Sequence, residues 1–351
     1  MEQNPRGGIL MELTQLRYFV EVARCEHITH AAQRLYTSQS SLSKTIARLE
    51  AELGTPLFDR IGNRIKLNDA GRTFLQGVSL ALCQLDESVQ AVQRPQSTIR
   101  VATSLPGLLP DLIERYLIDH PQTRFRQWLL PMDEMRQKLE QCEIDLAVAQ
   151  EPIVGEYIQW QKLYRDEIIA VVSKCHPLAR QEAVSLSQLR AEPIVCNNAG
   201  FGTRTLIEKL CAQAGFSPNI VMECHEPELL YKITSGNQAV YLGSELNYLW
   251  KALALVPDPP FQFMKPLRII DPDPGVSIGA ARLRGRTLSP AAEGFYGLMT
   301  ETYAHLQAVK DRGDPITAGD LMRSWQASWD WYPDMPPNLS HLEGFAKSPP
   351  E

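Results

Sequence analysis

The 351-residue sequence has no run of about 18 apolar residues, the length a membrane-spanning helix needs. Its first ten residues, MEQNPRGGIL, carry an acid and a proline where a secretion signal needs a basic start and an apolar stretch. These absences predict a soluble, cytoplasmic protein with no membrane partner. The seven cysteines (Cys25, Cys83, Cys142, Cys175, Cys196, Cys211 and Cys224) include no CxxC pair. An odd, scattered set suits a reducing compartment rather than a disulfide framework or structural zinc, so no metal and no cofactor are expected. A Gly-rich phosphate loop, a GxSxG elbow and HExxH are also missing, which argues against an enzyme built on an α/β body.

What is present is an ordinary globular composition, 44% hydrophobic and 22% charged, on a chain long enough for two or three domains of about 100 to 200 residues each. The net charge of -6 is unevenly spread. From residue 24 to 66, Arg24, Arg34, Lys44, Arg48, Arg60, Arg64 and Lys66 outnumber Glu26, Glu50, Glu52 and Asp59. A basic head on an acidic body is the distribution of a DNA reader with a separate sensing part.

The head reads as helices. Leu16, Phe19, Val20 and Ala23 recur at helical spacing over residues 14 to 24, and Thr29 stands where an N-cap would open a short second helix through Leu35. Ser38 can cap a third, whose Leu42, Ile46, Leu49 and Leu53 form an inward stripe. Its opposite face offers Gln39, Ser40, Ser43, Lys44 and Arg48, side chains able to bond base edges or phosphates in a major groove. Taken singly, each is an ordinary solvated residue. Together with the small pair Ala31 and Ala32 and the tight turn at Tyr36-Thr37, they form a helix-turn-helix pattern. The stretch from Leu57 to Leu67, turning at Ile61-Gly62-Asn63, then reads as a basic hairpin wing carrying Arg60, Arg64 and Lys66.

Residues 11 to 75, above all AAQRLYTSQSSLSKTIARLEAELGTPLFDR and LNDAGRTFL, resemble the LysR-type transcriptional regulators. The resemblance implies recognition of double-stranded DNA through Thr37, Ser38, Gln39, Ser40, Ser43 and Lys44, with backbone contacts from Arg34, Arg48 and Arg64. It also implies a homodimer or homotetramer, and RNA polymerase as a partner at target promoters. Members often carry proline where this chain has Ser40. From Asn68 a long apolar stripe (Phe74, Leu75, Val78, Leu82, Leu85, Val89, Val92) predicts a dimerisation helix, because a monomer would leave it wet. The stretch from Arg94 to Ser97 is the expected hinge.

Beyond the hinge, short apolar runs at Ile99–Thr103, Ile144–Ala149 and Ile168–Val172 alternate with helical stretches, as in an α/β domain with a parallel sheet. EIDLAVAQEP, SKCHPLA and NNAGFGTRTLIEKL are similar to parts of the LysR-type effector module, extending the resemblance to about residue 302. It implies two periplasmic-binding-protein-like lobes holding a small anionic or polar effector. Thr103, Ser104, Met132 and Gln150 are the candidates on the first lobe and Asn197, Gly200, Gly202 and Thr203 on the second. Two departures stand out: a loop after Thr103 about three residues short, and AVYLGSE at 239 to 245 without its usual proline.

The organisation expected is thus a flexible extension (1–10), a winged helix-turn-helix (11–68), a dimerisation linker helix (69–94), a two-lobed effector module (95–302) and a C-terminal extension (303–351) containing Trp325, Trp329 and Trp331. Lobe 1 is placed at about 98–165 and 267–302, and lobe 2 at about 166–266. The alternative to metabolite gating is a cysteine-based redox response, with Cys196 best placed for it.

Overall fold

The computed structural model describes residues 11–61, 64–93, 97–105, 107–252, 259–317 and 320–321. The N-terminal extension, the wing tip at Gly62-Asn63, the side chains of Arg60 and Arg64, most of the hinge and the tryptophan-bearing tail fall outside these residues. The described part divides into a head unit and a body unit.

In the head, α1 (Leu13–Cys25), α2 (Ile28–Arg34) and α3 (Gln39–Leu53) are followed by a hairpin of β1 (Phe58–Ile61) and β2 (Arg64–Leu67), and then by α4 (Asp69–Gln93). Gln15 reaches back to the amide of Glu12 at 2.7 Å, closing the N-terminus of α1. Ser38 caps α3 by accepting from the amide of Ser41 at 3.1 Å, and Gly54 ends that helix in the left-handed region, φ +68°. The start expected for α2 is displaced: His27, not Thr29, is the cap residue, and its ring stacks on His30.

Phe19 is fully buried at the centre of the head, with Phe58 and Phe74 at 5.6 and 5.1 Å between ring centroids. This packing corrects the expectation for the apolar stripe. Phe74, Leu75, Val78 and Leu82 belong to the head's own core, because α4 lies on α1 and covers them there. Only Leu85, Val89 and Val92 stay open, at 37%, 44% and 87% exposure.

The body opens with β3 (Thr98–Thr103), α5 (Pro110–Asp119), β4 (Arg124–Leu129), α6 (Met132–Glu140) and β5 (Leu146–Gln150), then the long β6 (Ile158–Ser173). There follow β7 (Ala183–Ser185), β8 (Pro193–Cys196), α7 (Gly202–Gln213), β9 (Asn219–Glu223), α8 (Pro227–Ser235), β10 (Val240–Ser244) and α9 (Glu245–Ala252). The last elements are β11 (Met264–Asp271), β12 (Gly275–Leu283) and α10 (Pro290–Asp311). Strands run in the order β4-β3-β5-β12-β6-β10-β8-β9, with β11 between β6 and β7.

The sheet is mixed rather than parallel throughout. β4-β3-β5 and β10-β8-β9 are parallel triplets, each joined by helical crossovers, but β6 and β12 run antiparallel between them. β6 serves both halves. Within it, Ile168, Ala170 and Val172 face Ile207, Leu210 and Cys211 of α7, while Ile169 and Val171 face Tyr231 and Tyr241 on the other side. That alternation, with both faces covered, explains why the run reads as continuously apolar. The first half has its own core, where Ile99, Val101, Leu146 and Val148 meet Phe295, Met299 and Tyr303 of α10.

The chain crosses between halves near Arg165, where Val276 pairs with Asp166 and Ser277 with Arg165. It returns at residues 272–275 and not near Pro266, since Leu267 and Ile269 are buried in the second half's core and hold β11 there.

Candidate DNA-reading face and effector site

Ala31 and Ala32, both buried, let α2 pack closely within the head's core, and Leu42, Ile46 and Leu49 turn α3 inward. The opposite side of α3 is thereby presented to solvent. Gln39, Ser40, Lys44 and Arg48 are exposed there, with Ser38 at the cap and Thr37 and Ser43 half-buried. The hydroxyls of Ser38 and Ser40 lie 3.1 Å apart.

The cations on this side differ in what already holds them. Arg34 pairs with Glu21 (2.9 Å), and Arg48 with Glu52 (2.9 Å) and Glu12 (3.8 Å). Lys44 makes no ion pair among the described residues. Arg34 and Arg48 would have to exchange carboxylates for phosphates, whereas Lys44 would not. Arg64 opens β2 of the wing.

The wing is anchored by two acids that the sequence did not single out. Glu50 accepts from the amides of Leu57 (2.7 Å) and Phe58 (3.3 Å), and Glu26 accepts from Leu67 (3.3 Å). Glu50 thus holds β1 beside α3, and Glu26 holds β2 beside the C-terminal end of α1.

In the body, the candidate residues gather where β3 and β5 end and α7 begins. At the start of α7 the amides of Arg204 and Thr205 already bond the Phe201 carbonyl, which leaves those of Gly202 and Thr203 without an intrahelical carbonyl and suits an anionic or polar group. Gly202 is required by the close approach: a Cβ there would stand 2.8 Å from the Gln150 carbonyl oxygen and 3.4 Å from the Met132 sulfur. Gly200, at φ +87°, sets the preceding turn.

The Thr203 hydroxyl donates to the Gln150 side-chain oxygen, and the Gln150 amide donates to Asp166 at 3.2 Å. Asp166 also accepts from the Ser244 hydroxyl (2.5 Å) and the Leu246 amide (3.0 Å). Burial pushes the Asp166 carboxyl up to about 6, against the pull of the Ser244 hydroxyl and of the Leu246 and Glu167 amides, while the Glu245 carboxylate adds to the rise.

Thr103 bonds its own neighbour, accepting from the Leu105 amide at 3.0 Å. The Ser104 hydroxyl is fully buried with no hydrogen-bond partner among the described residues, and Asn197 is buried just past β8. The structure therefore brings Met132, Gln150, Gly202 and Thr203 into direct proximity, with Thr103, Ser104, Asn197 and Gly200 on the adjoining strand ends and turn. Asp166 and Ser244 were not singled out from the sequence. Their signals were the acidic pair Asp166-Glu167 before an apolar run, in YRDEIIAVV, and the departure already visible in AVYLGSE.

The sequence on either side of the hinge matches known families. Residues 13–72 match the bacterial regulatory helix-turn-helix proteins of the lysR family, and residues 93–304 match the LysR substrate binding domain. The chain belongs to the LysR family. It is 31% identical over 298 residues to the uncharacterized HTH-type transcriptional regulator YybE of Bacillus subtilis, covering 81% of this chain and 97% of that protein. To the transcriptional dual regulator GltC of the same organism it is 30% identical over 306 residues, covering 85% and 99%. A full-length OxyR variant from Pseudomonas aeruginosa shares the fold, with a TM-score of 0.54 at 20% identity over 84% of this chain and 98% of that one. This LysR-type protein is a DNA-binding transcription regulator with an effector-binding module.

Among the described residues no helix is long and apolar enough to cross a membrane, and no group of His, Cys, Asp and Glu could hold a metal ion. Cys196, the thiol expected to be best placed for redox chemistry, is fully buried. Burial pushes it up to about 11, away from the thiolate an activated cysteine needs, although Arg204 pulls the other way.

Proposed function

We propose that the outer side of α3 reads operator DNA, and that a small anionic or polar metabolite bound over the start of α7 gates that reading. Gln39, Ser40 and Ser43 contact base edges; Thr37, Ser38, Arg34, Lys44, Arg48 and Arg64 hold the backbone. Leu85, Val89 and Val92 pair two copies through α4. The dimer assembles further to a tetramer in the cytoplasm and meets RNA polymerase at its promoters. The effector bonds the opening amides of α7, Thr203, Asn197 and the Ser104 hydroxyl, against walls formed by Thr103, Met132, Gln150, Gly200 and Gly202. Gating requires that the effector bind two arrangements of the protein unequally.

The observation that carries the effector assignment is the Ser104 hydroxyl at the end of β3, buried without a partner among the described residues. A buried hydroxyl with no hydrogen bond costs free energy, and a ligand that bonds it recovers that cost. Ser104→Ala is therefore a clean probe, since it removes no hydrogen bond among the described residues. Gly202→Val is a poorer one, because its side chain would strike Gln150 before any ligand. A panel of small carboxylates, amino acids and hydroxy acids is screened for a rise in melting temperature. A hit should stabilise the wild type, change its DNase footprint, and affect Ser104→Ala much less at unchanged basal DNA binding. Equal response of the two proteins removes Ser104 from the site, and a panel without a hit argues against this ligand class.

A further inference from the structure

Tyr36 is the most exposed large hydrophobic side chain among the described residues, at 98%. It lies in the turn between α2 and α3, where its backbone takes φ +51°, the left-handed region. The hydrogen bonds around it explain the conformation. The amide of Tyr36 donates to the Gln33 carbonyl at 3.2 Å and that of Thr37 to the Ala32 carbonyl at 3.0 Å, the paired bonds of a Schellman helix end. The residue at this place is ordinarily glycine, and a bulky side chain is strained there.

Strain of this kind is held in place by the surrounding structure and clusters at functional sites. Glu26, at φ +44°, shows the contrast within the same head: its carbonyl and carboxylate accept from Ile65 and Leu67 and so hold the wing. The ring and hydroxyl of Tyr36 make no hydrogen bond or ring contact with any described residue. Folding of the head gains nothing from this tyrosine.

Its surroundings point to what would use it. Tyr36 immediately precedes Thr37, Ser38, Gln39 and Ser40, and the exposed Arg34 stands two residues before it. No acidic residue occurs from His27 to Leu49, a stretch that carries Arg34, Lys44 and Arg48. The turn is thus chemically suited to a polyanion.

We propose that Tyr36 is a DNA contact whose phenol hydroxyl donates to a backbone phosphate beside the groove that α3 enters. This rests on the reading of α3 as the DNA-facing helix, so Gln39→Ala and Lys44→Ala are measured alongside. A neutral donor to a phosphate adds affinity and displaces no counterion, which separates it from a lysine contact.

The test uses the full chain and a DNA fragment that the wild type has selected from a random pool. Tyr36→Gly relieves the strain, so its melting temperature should equal or exceed that of the wild type while its affinity falls about tenfold. Tyr36→Phe should lose as much affinity, and both should keep the wild-type salt slope. Affinity within twofold of the wild type for Tyr36→Gly overturns the proposal. Wild-type affinity for Tyr36→Phe overturns the hydroxyl contact, and a lowered melting temperature for Tyr36→Gly shows a structural role instead. If Gln39→Ala and Lys44→Ala are also silent, the reading of α3 itself fails; if they weaken binding and the Tyr36 variants do not, only Tyr36 is removed.

Discussion

The head and the body of this LysR-type regulator build their candidate sites in opposite ways. In the head, the candidate DNA-contacting residues lie mostly on the cap and outer side of a single helix, Gln39–Leu53, where Gln39, Ser40, Lys44 and Arg48 are exposed. In the body, Ser104, Gln150, Asp166, Thr203 and Ser244 come from five separate places in the chain and are all buried. A helix surface needs only its own periodicity and something to pack its other side against. A buried polar cluster needs every member in place, because each group without a partner loses the hydrogen bonds it had in water. The head's surface residues should thus be separable from stability, and the body's hydrogen-bonded Gln150, Asp166, Thr203 and Ser244 should not.

The largest effect expected tests whether the two units hold their cores independently. Phe19→Ala empties the space between Phe58 and Phe74 and should destabilise the head by about 3–5 kcal/mol. In calorimetry of the full chain, one transition should move down and the other stay. A common shift of both transitions would break the comparison, since the units would then unfold as one.

A smaller effect concerns the body alone. The Asp166 carboxyl titrates near 3.8 in the unfolded chain and is raised to about 6 by burial in the folded one. Its contribution is complete below about pH 4, where both states are protonated. It is lost as pH rises through about 6, because the unfolded chain ionises first. The loss is at most about 3 kcal/mol. Asp166→Asn should flatten the body's stability between pH 4 and 7, read from urea midpoints, whatever it does to the absolute value. An unchanged slope would assign the pH dependence elsewhere.

The smallest effects on stability, with plain effects on binding, belong to the head's surface. Gln39→Ala should relax base preference at one position by about 1–3 kcal/mol. Lys44→Ala should weaken binding to all sequences and lower the salt slope by about one. Neither should move the melting temperature measurably. If either does, the surface of α3 is not separable from the head's core.

The legibility of the two sites follows the same division. The apolar stripe of Leu42, Ile46 and Leu49, the cap at Ser38 and the polar side opposite were all readable, because a helix repeats every 3.6 residues whatever surrounds it. The stripe on α4 was readable as apolar, but its partner was not. Residues 74 to 82 turn to the head's own core and only the last turns remain open, since packing against α1 leaves no mark on the periodicity of α4. In the body, the resemblance located Gln150, Gly202 and Thr203 one by one. Their connection through Asp166 to Ser244 was invisible, because the residues that meet there are far apart in the chain.

The sequence by itself determined the element types, the order of units and the family, since periodicity, capping and motif spacing are local properties of the chain. Tertiary structure decided what those local properties leave open. It placed the return of the chain after β11 and buried a carboxylate at the crossing of the two halves. It assigned half of the α4 stripe to the head, and it turned Tyr36 outward from a helix end where glycine is the usual residue. Each outcome depends on which distant atoms compete for the same space or hydrogen bond, and that competition exists only once the chain has folded.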